Sequence, residues 1–541
     1  ANLSKFKYFF GNFILSSLIV FATMVDQDDV KIYPNCDFNV WLRTCEKEVT
    51  EPLQGTITGE IPSWVRGTLL RNGPGANKVG DSQFKHLFDG SALLHRFYIK
   101  DGCVTYQCRF VRSNTWLQNR AANRIVFTGF GTKRVPDPCQ TIFHRIASVF
   151  NMEDKTPDNT MISVYPFGDQ IYTLTEFPVM HRIDPETLET LDRKSLRAYV
   201  VNHSAHPHVM PNGDVYNLGM SLSVSGDMFE EAHIVCTAPL KWPMYPSYMH
   251  TFGITKNYFV LVEQPLCLSL FALLKNQIFD VEFSKALRWQ PDRGTSIVVI
   301  DRQDGSIKRF CADSFVFFHI INTYQEGRKL TVDIIAYDDA EVMKIFYVEA
   351  LEVSYDMRTH PKFAITFLSI CYMHIFSNYY SHYFFYFFRK GMQYNKEFAG
   401  WCRSRPKRIE IPLDAPEMSK RLYVLPQCCY TIFYKLFSMI CFFFCFLKLI
   451  KLDVKTGDFK QWYEAGWSPG EPVFVARPGK EDDGVLLSAM VRECAPQSAS
   501  AHEIALLVLD ARTMCEVARA RFRTPSPAPK CFHGWFLPEQ I

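Results

Sequence analysis

Four histidines constrain this chain most. His206, His250, His319 and His533 each border a short apolar or aromatic run, and they are spread over more than half of a 541-residue sequence, so only a closed fold can bring them together. His206 lies in Ala205-His206-Pro207-His208-Val209, ahead of the turn Pro211-Asn212-Gly213. His250 ends Tyr248-Met249-His250 and leads into the strand-like run Tyr258-Phe259-Val260-Leu261-Val262. His319 follows Phe315-Val316-Phe317-Phe318, and His533 precedes Gly534-Trp535-Phe536. One such histidine alone reads as a hydrogen-bonded core residue, because imidazole packs well against aromatics and needs only one or two partners. Four in comparable contexts read as a metal centre assembled by a whole domain.

Neutral imidazoles suit iron, copper and zinc, and a site without thiolate or carboxylate ligands leaves the charge of a divalent ion uncompensated. Carboxylates are therefore expected behind the ligands, accepting the second ring N–H and fixing the tautomer. Glu176, in Thr173-Leu174-Thr175-Glu176-Phe177, and Glu471, in Pro469-Gly470-Glu471-Pro472-Val473-Phe474, lie in apolar surroundings where a lone carboxylate would be costly. The alternative for each is an exposed loop glutamate.

A recurring unit sets the fold class. Ile183-Asp184-Pro185-Glu186-Thr187, Ile300-Asp301-Arg302-Gln303-Asp304-Gly305, Leu452-Asp453-Val454-Lys455-Thr456-Gly457 and Leu509-Asp510-Ala511-Arg512-Thr513 each join an apolar strand end to an Asp that can hydrogen-bond its own turn and then to a second strand. Short alternating runs at Met161–Tyr165 and Gln170–Leu174, with Gly168-Asp169 between them as the turn, supply further strands. Long amphipathic helices are few. Strand, Asp turn and strand repeated along a long chain fit the outer hairpins of propeller blades, so the residues predict a predominantly β, single-domain repeat fold with long loops.

Composition excludes several function classes. Net charge is +3 with no long basic run, so phosphate backbones are not the partner and nucleic acid binding is not expected. Seventeen cysteines without regular spacing fit neither a disulfide framework nor a zinc ribbon, and point to a reducing compartment such as the cytoplasm. Aromatic content of 15% is concentrated in two blocks, residues 363–397, including Tyr379-Tyr380-Ser381-His382-Tyr383-Phe384-Phe385, and residues 428–450, including Cys441-Phe442-Phe443-Phe444-Cys445-Phe446. Such runs are what translated pyrimidine-rich, non-coding sequence would look like, and they are expected to lie outside the working domain. The second is roughly long enough to span a bilayer, which leaves membrane-dipping inserts as the alternative. Residues 1–32 carry Lys5 and Lys7 ahead of an apolar run to Ala22 and are likewise expected to stand apart, with a short membrane anchor as the alternative; one domain occupies residues 33–541.

Arg71-Asn72-Gly73-Pro74-Gly75, His86-Leu87-Phe88-Asp89-Gly90, Leu94-His95-Arg96-Phe97, Glu481-Asp482-Asp483-Gly484 and Phe532-His533-Gly534, together with the four histidines, make the chain resemble the carotenoid cleavage oxygenases. Pro136-Asp137-Pro138-Cys139, Tyr165-Pro166-Phe167-Gly168 and Asn257-Tyr258-Phe259-Val260-Leu261-Val262-Glu263-Gln264-Pro265 are similar to the insect members in particular. The resemblance runs from about residue 33 to 362, resumes around 403–413 and returns from about 452.

That resemblance implies an all-β fold, a seven-bladed β-propeller with a loop and helix dome over an axial metal site. It also implies Fe2+ held by His206, His250, His319 and His533, with Glu176 and Glu471 behind the ligands. The implied partners are a carotenoid and dioxygen, with peripheral membrane contact for uptake of the lipophilic substrate. The implied reaction is cleavage at the central double bond to retinal, with isomerisation of one half from all-trans to 11-cis. Phe177 and Tyr337 are candidate tunnel residues, with core packing as the alternative, and Thr175 is a candidate for orienting substrate or oxygen, with a backbone-bonded strand Thr as its alternative. Two rival functions stay open: a retinoid isomerohydrolase of the same fold, and a carotenoid-binding propeller without turnover. A third outer glutamate expected beyond Leu425 cannot be assigned, because the second aromatic block stands in its place.

Overall fold

The computed structural model describes residues 38–136, 156–221, 233–351, 405–414, 424–426, 448–453, 458–480, 483–494 and 498–539. Residues 1–32, all of the first aromatic block, most of the second and Glu481-Asp482 lie outside them. Five sheets of four to six antiparallel strands are present among the described residues, with short two-stranded pieces between them. The narrow pieces at 202–220 and 448–463 mark the two remaining blade positions of a propeller.

Three of the four Asp units behave as the sequence predicts, and the turn of the fourth, residues 454–457, lies outside the described residues. Asp184 Oδ1 accepts from the N–H groups of Glu186 (2.7 Å) and Thr187 (2.9 Å), and closes the hairpin of Val179–Ile183 with Thr190–Ser195. Asp301 caps the turn between Thr295–Asp301 and Ile307–Ala312 through Gln303 N–H at 2.8 Å. Asp510 does the same between Glu503–Asp510 and Glu516–Arg523 through Arg512 and Thr513. Each carboxylate satisfies turn N–H groups that would otherwise lack partners, which pins the register of the outer hairpin. Gly168 has φ +62° in the tight turn joining Ser163–Phe167 to Gln170–Leu174, a conformation glycine adopts without a Cβ clash.

Central strands are buried on both faces. Glu503–Asp510 (EIALLVLD) has all six interior positions buried, because it pairs on both edges and packs against neighbouring blades on both sides. Phe310, Phe315, Phe317, Leu330, Val332 and Ile334 fill one inter-blade layer. Fully burying one such side chain contributes about 1.5–3 kcal/mol relative to exposure.

The ring closes by exchanging termini. The C-terminal strand Gly534–Pro538 adds to Gly67–Ala76 in the first sheet, and the N-terminal strand Thr56–Gly59 adds to Glu516–Arg523 in the last. Closure therefore uses pairings between residues more than 400 apart, which hold the ring against opening at its seam.

Helices are short, the longest described being Leu270–Phe279 and Asn114–Ala122. With Ala340–Phe346, Val348–Leu351 and the long loops they form the dome, tied together by backbone bonds such as Ser284 N–H to Phe130 O (2.7 Å) and Val348 N–H to Lys85 O (2.9 Å). No helix among the described residues is long and apolar enough to cross a membrane. One boundary shifts: Lys448–Leu452 is a strand paired with Phe459–Tyr463, so the second aromatic block gives way to blade structure at Lys448 rather than after Ile450.

Candidate metal centre

The four histidines converge. His206, His250 and His319 each bring one ring nitrogen within 4.8 Å of the others, and the His533 ring lies 4.3 Å from that of His206 and 5.3 Å from that of His319. His206 Nε2 and His250 Nε2 are 2.9 Å apart. Only His319 sits within a strand, Val316–Glu326, where the register with Lys329–Tyr337 slips between Phe317 and Ile320. The bulge turns its ring out of the pleat. The other three stand just outside the strands, on the segments that lead into His208–Val209, Gly253–Ile254 and Gly534–Pro538. A regular strand aims side chains at its two sheet faces, so a ring that points along a central axis has to leave the pleat.

Short polar side chains clamp these segments to one another. Ser204 Oγ donates to the His250 carbonyl (2.6 Å) and accepts from His206 N–H (3.0 Å). Thr251 Oγ1 donates to the Phe318 carbonyl (2.8 Å) and accepts from Ile320 N–H (3.1 Å), on either side of His319. Asn72 N–H donates to the His533 carbonyl (2.8 Å), while Asn72 Nδ2 reaches the carbonyls of Thr160 and Ser163 in the next blade. The ligand-bearing segments are thus linked around the axis by hydrogen bonds shorter than 3.2 Å, a geometry that holds rings in place before any ion arrives.

Two carboxylates stand behind the rings. Glu176, on the bend between Gln170–Leu174 and Val179–Ile183, has Oε1 at 2.5 Å from His250 Nδ1. A carboxylate accepts, so Nδ1 carries the proton and the Nε2 lone pair faces the axis. Tyr248 O–H donates to the same carboxylate at 2.8 Å. Glu471, between Trp467–Pro469 and Val473–Ala476, accepts from His533 Nδ1 at 3.1 Å with Oε1 and from Arg71 Nη1 at 2.9 Å with Oε2. Neither is the exposed loop glutamate of the alternative reading. Burial raises the Glu471 carboxyl, but His533 and Arg71 outweigh it and hold the group below the usual carboxylate range. Burial, reinforced by the neighbouring imidazoles, holds His206 and His319 well below the ordinary histidine range, which leaves them neutral and able to ligate.

The donor set fits a metal: converging imidazole nitrogens, with outer acceptors that fix the tautomer of two of them. The neighbouring histidines are turned away, since His208 Nε2 bonds the Phe252 carbonyl (2.8 Å) and His203 Nδ1 the Ser204 carbonyl (3.1 Å). Glu176→Gln and Glu471→Gln should each weaken metal binding by about ten- to a hundredfold without abolishing it. Unchanged affinity in both, measured by competition with a chelator, would remove the two glutamates from this role.

On the His250 side the centre is walled by aromatic rings. Phe318 packs on His250 (5.7 Å) and on Phe346 (5.7 Å); Phe346 stacks on Phe88 (4.9 Å), and Phe88, Phe130, Phe283 and Phe177 continue the contact at 5.4–5.9 Å. Tyr337 is a core residue packed on Phe318, while Phe177 is half-buried beside Glu176. Sequence reasoning missed Tyr248, Arg71 as the partner of Glu471, and the clamps Asn72, Ser204 and Thr251. Of these Tyr248 and Ser204 carried a local signal, each standing two residues before a ligand candidate, His250 and His206. The place of a third carboxylate lies outside the described residues.

Comparison with known proteins points to one family. Residues 42–538 match the family described as Retinal pigment epithelial membrane protein (RPE65). The carotenoid isomerooxygenase of Galleria mellonella is 48% identical over 94% of this chain and 98% of its own length. The beta,beta-carotene 15,15'-dioxygenase of Rattus norvegicus is 33% identical, covering 91% of this chain and 90% of that protein. Among solved structures, cobalt-substituted Synechocystis ACO superposes with a TM-score of 0.61 over 93% of this chain and 98% of that one, at 19% identity, which shows the shared fold.

Proposed function

Because the chain belongs to the RPE65 family of carotenoid oxygenases, we propose that it is a ferrous-iron dioxygenase that cleaves a carotenoid at its central double bond to retinal, with isomerisation of one half from all-trans to 11-cis. The observation that carries this reading is the convergence of four imidazoles beside an aromatic wall. His206, His250, His319 and His533 would hold the iron. Bound there, ferrous iron supplies the one-electron chemistry that activates dioxygen, which a closed-shell protein side chain cannot do.

The remaining work falls to the chain itself. Glu176 and Glu471 orient His250 and His533, and place carboxylate charge behind two of the rings, that of Glu471 being shared with Arg71. The aromatic wall binds an extended apolar polyene, excludes water from the centre and holds one double bond in place, which is catalysis by positioning. In overall balance, one carbon–carbon double bond and one dioxygen molecule give two aldehydes.

Protein reconstituted with Fe2+ and given β-carotene in micelles under labelled dioxygen should yield retinal that carries the label. Turnover of a retinyl ester to retinol without dioxygen would replace the reading with an isomerohydrolase, and tight carotenoid binding without product would replace it with a carrier.

Such a substrate has to be drawn from a lipid phase. The helix Leu270–Phe279 leaves Phe271 (74% exposed), Leu274 (62%), Ile278 (56%) and Phe279 (63%) in solvent, and Met244 (61%) lies beside its start, bonded through its carbonyl to Leu270 N–H. Trp242 and Tyr245 flank Met244 under Arg293, an amphipathic rim of the kind found at membrane interfaces. We read this as the membrane-contact face of a cytoplasmic enzyme that attaches peripherally. Changing Phe271, Leu274 and Ile278 together to Ser should abolish sedimentation with phosphatidylcholine vesicles while leaving iron content unchanged. Undiminished sedimentation would refute this assignment.

A further inference from the structure

We propose that Arg71 is a positioning residue of the metal centre: its guanidinium fixes Glu471, and Glu471 fixes the His533 ring. The inference rests on the reading of the four imidazoles as a metal site. Arg71 is fully buried on Gly67–Ala76 and lies opposite Gly534 in the closing strand. Its Nη1 donates to Glu471 Oε2 at 2.9 Å, its Nη2 to the Phe532 carbonyl, and its Nε to Cys531 Sγ at 3.4 Å. All three bonds therefore end on the carboxylate behind His533 or on the two residues that precede it. A rigid, forked guanidinium can hold these directions at once, which the single ammonium of lysine cannot.

The division of labour on Glu471 follows. Oε1 takes the His533 Nδ1–H at 3.1 Å, and Oε2 takes Arg71 and the Gly534 N–H at 3.3 Å. Rotating the carboxylate to satisfy one side would break the other. Glu176 has no such lock, since its outer partner is the neutral Tyr248 hydroxyl. Charge sharpens the point, because a guanidinium beside a dication site opposes metal binding by simple electrostatics. Any net gain in affinity from Arg71 must come through Glu471, and R71K, which keeps the charge, separates orientation from charge.

The sign of the effect tests this. The full chain would be titrated with Co2+, whose visible absorption reports its ligand set, for wild type, R71M, R71K and the control R519M. Arg519 is another buried arginine, paired with Glu464 and Glu516, which are not the carboxylates behind His250 and His533. R71M should bind Co2+ about ten- to a hundredfold more weakly and with an altered absorption band, although a repelling charge has been removed. R71K, which keeps the charge and loses the fork, should also bind more weakly than wild type, and it decides the matter where R71M yields no folded protein. R519M should match wild type. Equal or tighter binding by R71M, equal binding by R71K, or an equal loss in R519M would overturn the inference. Failure of the wild-type protein itself to bind Co2+ would instead overturn the reading of the centre, and the inference with it.

Discussion

Alanine in place of His206, His250, His319 or His533 is expected to leave a folded protein that has lost its iron and, with it, its turnover. His206, His250 and His319 supply converging nitrogens and the His533 ring lies against theirs, whereas the neighbouring His203 and His208 bond backbone carbonyls. Loss of a direct ligand should exceed the roughly hundredfold ceiling seen when only an outer partner is lost. The fold should survive, since the ligand-bearing segments are tied by backbone and hydroxyl bonds that do not involve the rings. His208→Ala and His203→Ala make the comparison, each costing about 1 kcal/mol of stability for a lost hydrogen bond and little iron. Iron per chain, measured alongside a thermal unfolding curve, separates the two classes. A ligand variant that keeps a full complement of iron would remove that residue from the set.

The parts of this centre that sequence made legible are those whose signal is local. An Asp that caps its own turn announces itself within five residues, and the three such units whose turns are described close hairpins. The histidine contexts were legible for a similar reason, each being a short apolar run that must end at a buried polar group. What escaped was whatever depends on pairing at a distance. Arg71 and Glu471 are 400 residues apart and meet only because the ring closes, so neither residue's neighbourhood predicts the other. The bulge that turns His319 inward depends on register with a partner strand, and Val316–Glu326 by itself reads as an ordinary strand. The stripe Phe271, Leu274 and Ile278 illustrates a different limit. Helical periodicity reports that one face is apolar but is silent on whether core or solvent receives it, and here the face is exposed.

Gly534→Ala should be among the most damaging single substitutions in the chain, although it adds one methyl group and changes no ligand. A Cβ at Gly534 would stand 2.1 Å from the Leu70 carbonyl oxygen and 2.5 Å from Arg71 Cδ. Neither can retreat: Leu70 O belongs to the strand that pairs with Trp535, and Arg71 is held by Glu471 and the Phe532 carbonyl. The closing strand Gly534–Pro538 must then shift away from Gly67–Ala76, and His533 moves with it. We expect a cost of about 3–5 kcal/mol, at the upper end for point substitutions, together with loss of iron. Gly168→Ala makes the contrast, because a Cβ there meets nothing within 4 Å and only the φ of +62° is strained, which costs about 1 kcal/mol. Hydrogen exchange distinguishes Gly534→Ala from His533→Ala: the first should expose the amides of Trp535 to Leu537, whereas the second should leave them protected and lose only the metal. Unchanged protection and full iron in Gly534→Ala would mean that the seam tolerates a side chain, and that closure and the fourth ligand are not bound together in the way the Leu70 and Arg71 contacts require.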